Sequence, residues 1–188
     1  MLMNGFNTVR MLWSKIQQGF YFVMIVLGIG STHYSIAAPP PAMSTSLAPS
    51  QYCGLATDLG FPTRGFNAST FGCSSKTVEL PPVKPGKLPN NVAFHVTTDP
   101  AGALVHIRVV ANVNDAEAAP LAASELSRVA VAVGRQLLGG VVPPDMVATI
   151  RQASTKSWTR DPWTVQVTTS RWSTGRGYDT KVTFAPLR

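Results

Sequence analysis

Residues 19–38 run for twenty positions without one Asp, Glu, Lys or Arg and end against Pro39-Pro40-Pro41. At 1.5 Å per residue, a helix of that length crosses a hydrocarbon core of ~30 Å. A helix buried in a soluble core is the alternative, but such helices rarely lack charge for so long and then meet three prolines. Arg10 and Lys15 precede the segment, so the positive-inside rule keeps the N-terminus cytoplasmic and sends the remainder across. The densest part, residues 20–29, also has about the length of a signal-peptide h-region, and Ser35 and Ala37 allow a cut before Ala38. The leader before Gly19 is long for a signal peptide, which favours a retained anchor. The expectation is an extracytoplasmic protein, anchored in an inner membrane on the periplasmic side or secreted after cleavage.

Export makes the cysteines interpretable. Cys53 and Cys73 are the only two, and oxidising compartments favour disulfides. Closing a loop of about 20 residues stabilises a fold by ~3 kcal/mol in the chain-entropy model. Two buried thiols are the alternative. A zinc site fits poorly, since four ligands are normally wanted and His95 and His106 are the only histidines beyond His33.

Composition limits the rest. Hydrophobic residues make up 45% of the chain and charged residues 13%, which allows a real core and excludes a charged, disordered tail. The net charge is +7. Residues 151–188 hold seven basic side chains (Arg151, Lys156, Arg160, Arg171, Arg176, Lys181, Arg188) against Asp161 and Asp179. A basic end of this kind favours acidic partners.

Beyond the export segment (1–38), a Pro-rich spacer covers 39–49 and a small disulfide-closed segment 50–79. A second Pro-rich linker covers 80–90, and the main domain 91–188. Ser50 can cap a short helix that stops at Gly60. Phe61, Phe66 and Phe71 recur at a spacing that suits neither helix nor strand, so a compact loop is expected.

In the main domain, Val92, Phe94 and Val96 alternate with polar or small residues, as do Val105, Ile107 and Val109. That period marks half-buried strands. Asp99-Pro100-Ala101-Gly102 between them has the form of a type I turn. Pairing Thr98 with Ala103 sets Phe94 against Ile107, Val96 against Val105 and Val92 against Val109. Asn114 and Glu117 have capping-box spacing. A helix from Pro120 to Leu138 then presents Leu126, Val129, Ala130, Val133 and Leu137 as one apolar stripe and ends at Gly139-Gly140. A shorter helix follows through Met146, Val147 and Ile150. Two strands close the chain, with Val165 paired to Phe184, Val167 to Val182, and 172–177 as the loop. The order ββααββ implies an α+β fold, a four-stranded, mainly antiparallel sheet with two helices on one face.

The chain contains no GxGxxG, GxxxxGK[ST], HExxH or GxSxG motif, so no enzyme, cofactor or metal is expected. The hairpin register places His95 opposite His106 on the polar face, near enough to share a metal or to repel when both are protonated. Near the C-terminus, Trp158, Trp163 and Trp172 mix with basic residues. Trp172 and Arg176 at the loop tip, with Lys181, form a candidate surface for polyanions or partners. Asn67-Ala68-Ser69 is a glycosylation sequon, relevant only in a eukaryotic host. The expected function is a non-enzymatic envelope protein, membrane-bound through residues 19–38, that contacts another envelope protein. The alternative is a polyanion- or glycan-binding module using the basic C-terminal hairpin. Acidic glycan or lipid partners fit that alternative, and nucleic acid does not.

Overall fold

In the computed structural model, residues 47–81 and 85–188 are described. The expected export segment and residues 39–46 of the spacer lie outside the described residues. No helix among those described is long and apolar enough to cross a membrane.

Strands β3 (Asn91–Thr98) and β4 (Leu104–Val113) form the expected hairpin, in a register one pair further along. Phe94 faces Val109, Val96 faces Ile107 and Val92 faces Ala111. Two local insertions produce the shift. At the turn, the N–H of Gly102 donates to the Asp99 carbonyl (3.0 Å), and Gly102 takes φ +85°. This left-handed residue, a conformation that glycine adopts without a steric penalty, lets Asp99 N–H donate to the Ala103 carbonyl (2.8 Å). The Asp99 carboxylate also accepts from Ala103 N–H (2.8 Å). That single step alone would turn every apolar side chain to the wrong face. A bulge restores parity: Thr98 pairs with Leu104 but Thr97 with His106, leaving Val105 as the extra residue.

The second hairpin, β6 (Trp163–Arg171) with β7 (Tyr178–Pro186), has the expected register, with Val165 against Phe184 and Val167 against Val182. It joins the first through β4 and β7. Helix α2 (Ala119–Leu137) lies across one face, and its stripe of Leu126, Val129, Ala130, Val133 and Leu137 is fully buried. Helix α3 (Met146–Arg151) packs beside it, with Met146 and Ile150 inward. The α2 entry differs in detail. Asp115, not Asn114, accepts from Glu117 N–H (3.2 Å). Asn114 instead donates its side-chain amide to the Pro89 carbonyl (2.6 Å). Buried Asn90 ties the linker down, since its Oδ1 accepts from the N–H groups of Asn114 (2.7 Å) and Asp115 (2.8 Å).

The expectation of a four-stranded sheet is corrected to seven antiparallel strands among the described residues. The additions are β1 (Gly72–Ser74) and β2 (Val78–Glu79), both against β3, and β5 (Lys156–Arg160) against β6. The first two are too short to show a period. In β5 only Trp158 is even half-buried, because an edge strand has little core to face.

The disulfide-closed segment is built into this same body. Helix α1 (Pro49–Cys53) begins one residue before the expected Ser50 cap, with the Gln51 side chain accepting from Ala48 N–H (3.0 Å). Tyr52, Cys53, Leu55, Ala56 and Phe61 join the central core. Cys53 and Cys73 are disulfide-bonded with Cα atoms 6.0 Å apart. Such a bond fits an oxidising, extracytoplasmic compartment.

A carboxylate-free basic groove on the open sheet face

The face of the sheet opposite the helices carries the polar half of each alternating strand, and the register arranges those residues in rows. One row runs Ser74, His95, Arg108, Thr183 across β1, β3, β4 and β7. Within it, Ser74 Oγ and His95 Nδ1 are hydrogen-bonded at 2.9 Å, and Arg108 Nε donates to Thr183 Oγ1 at 3.4 Å. The neighbouring row holds Gly72, Thr97 and His106.

Gly72 is what brings β1 so near. A Cβ there would stand 2.2 Å from the Val96 carbonyl oxygen, a distance that no side chain tolerates. The disulfide at Cys73 holds the same strand from its other side, and the chain on either side of it delivers Arg64 and Lys76 to the rim. Together these residues line an open groove of about 730 Å³, within the size range of small-ligand sites.

The groove is one-sided in charge. Arg64, Lys76, Arg108, His95 and His106 line it, and no Asp or Glu does. Among the described residues Arg64, Lys76 and Arg108 have no ion pair. Burial, and then the Arg108 charge, lower the His95 pKa below the ordinary histidine value. His106 is lowered by the same two causes and by His95. Both imidazoles therefore resist a second positive charge beside Arg108, as expected where cations crowd without carboxylates.

The expectation that His95 faces His106 is corrected. His95 faces Arg108, and His106 faces Thr97. The two histidines share a face as diagonal neighbours, at the ~7–8 Å typical of that relation. The extra turn residue and the bulge at Val105 together cause the offset. With Arg108 between them, the pair suits an anion better than a metal cation. No cluster of three His, Cys, Asp or Glu able to hold a metal occurs among the described residues. The Ser74–His95 contact has the form of a nucleophile with a base, but no carboxylate lines the groove to orient the imidazole.

The other candidates are dispersed. Arg176 is exposed in the 172–177 loop. Trp172 is half-buried and turned back from the tip, since a Cβ on Gly177 would meet its ring at 2.6 Å. Trp172 lines a hollow that includes neither Arg176 nor Lys181. Lys181 Nζ sits 3.0 Å from Asp179 Oδ1. Trp163 is core, and Trp158 donates its indole N–H to Asp145 (3.0 Å). Sequence reasoning weighed the histidines as a pair and overlooked Arg108 between them. The signal was available, because residues 106 and 108 alternate with the apolar Ile107 and Val109. Arg64 and Lys76 carried no such signal. Comparison with known proteins yields no match: no protein-family model fits the chain, and no curated protein or solved structure is significantly similar to it.

Proposed function

We propose that this chain is a non-enzymatic, extracytoplasmic binding protein whose basic groove holds an anionic group presented by another envelope component. The observation that carries this reading is the carboxylate-free lining, in which Arg64, Lys76 and Arg108 share one groove with two histidines. Cations without acidic partners repel one another, and an arriving anion relieves that repulsion. The Cys53–Cys73 bond and the charge-free run at 19–38 support an extracytoplasmic setting. The 19–38 run supplies the anchor in this reading.

Binding of inorganic polyphosphate, measured by calorimetry at rising salt, tests it. Affinity should fall steeply with ionic strength, because screening acts on exposed charges. Arg64→Ala with Lys76→Ala should weaken binding about tenfold at low salt, a change of ~1.4 kcal/mol in binding free energy. Both residues are exposed, so stability should move by no more than ~0.5 kcal/mol. Equal affinity in wild type and double variant would overturn the proposal.

A further inference from the structure

Four residues along β3 from His95, or about 13 Å at strand spacing, lies a second polar row of different character. It runs Glu79, Asn91, Asn112, Asp179 across β2, β3, β4 and β7. Beside it, Trp172 lines an open hollow of about 460 Å³ together with Glu79, Asn91, Asn112 and Asn114. The amides are organised among themselves. Asn112 Nδ2 donates to Asn91 Oδ1 (2.8 Å), while Asn91 and Asn114 donate to the Pro89 carbonyl (3.4 and 2.6 Å). Each bond takes one of an amide's two N–H donors, and the Asn112 and Asn114 carbonyl oxygens, with the Glu79 carboxylate, remain as acceptors beside an indole ring.

An aromatic ring flanked by acceptors suits a neutral sugar. The negative face of the ring attracts the weakly positive C–H groups of a pyranose, and the acceptors take its hydroxyl protons. The hollow does not suit an anion, because Glu79 repels it. The Asp179 charge is met by Lys181 between the two rows.

We infer that the open sheet face binds a sparsely charged glycan, with a neutral sugar ring on Trp172 and the Asn91–Asn112–Asn114 cluster while a phosphate or similar anion on the same ligand occupies the groove. This rests on the anion-binding reading of the groove and adds a second, uncharged subsite to it. A uniformly charged polymer would meet Glu79 and use the groove alone.

The test uses cellotetraose and chitotetraose, each also carrying one terminal phosphate, with inorganic polyphosphate as the sugar-free probe. At least one phosphorylated tetrasaccharide should bind more tightly than polyphosphate at moderate salt. Trp172→Ala should weaken it roughly tenfold or more, the scale of one lost stacking contact, and leave polyphosphate unchanged. Trp172→Phe should recover most of the loss, which separates stacking from loop collapse. In wild-type protein the Trp172 indole N–H resonance, assigned with the Phe variant, should shift with the phosphorylated sugar and stay still with polyphosphate. Polyphosphate binding without any preference for the sugar, or an unmoved indole resonance, would overturn the glycan inference and leave the anion reading standing. Loss of both ligands' binding in wild type would overturn both.

Discussion

Arg108 stands directly across from His95 and two residues along its own strand from His106. Its charge is the second cause, after burial, of the lowered pKa at each. Arg108→Ala should therefore raise both histidine pKa values towards the ordinary value without reaching it, because burial remains. A proton NMR titration of the two imidazoles checks this. Unmoved values would mean that solvent screens the guanidinium from both rings. Gly72 matters equally at this scale, since its missing side chain sets how near β1 lies to β3.

Among the elements, the segment closed by Cys53–Cys73 does two jobs. It contributes Tyr52, Leu55 and Phe61 to the core and holds the basic rim beside β3. Replacing both cysteines by alanine should lower the unfolding free energy by about 3 kcal/mol, as for a loop of this size. Urea denaturation of the double variant measures it. A loss under about 1 kcal/mol would show that Tyr52 and Phe61 packing alone positions the segment. Strands as short as β1 and β2, and an exposed edge such as β5, were illegible in the sequence because none has a buried stripe long enough to show a period. Helix α2 was legible almost to the residue, since its whole apolar stripe faces the sheet.

For the molecule as a whole, the two histidines link folding to pH. Unfolded, they take up protons near pH ~6.5, whereas the folded imidazoles do so only at lower pH. Over that window the unfolded chain binds more protons, so stability is complete above it and falls as pH drops through it. Asp145, lowered chiefly by its hydrogen bond from Lys156, adds a loss in the same direction at still lower pH. Thermal unfolding followed from about pH 7.5 to 5 should show a falling Tm, and inorganic polyphosphate should offset the fall by favouring the charged imidazoles. A flat profile would mean that both rings protonate as freely folded as unfolded.

By itself the sequence determined what depends on neighbours along the chain. The alternation in β3, β4, β6 and β7, the DPAG turn, the α2 stripe and the second hairpin's register are all local patterns whose apolar residues admit one buried face. It also confined the disulfide to a single pairing, because only two cysteines exist. The first hairpin's register was a tertiary decision. Period two says which face a side chain takes but not which partner it meets, and registers two residues apart bury the same face. A glycine-assisted turn and a bulge at Val105 chose between them and moved Arg108 opposite His95. The groove itself was decided only in three dimensions. Arg64 and Lys76 lie in loops without periodicity, and what brings them beside Arg108 is the disulfide and the close β1–β3 pairing that Gly72 permits.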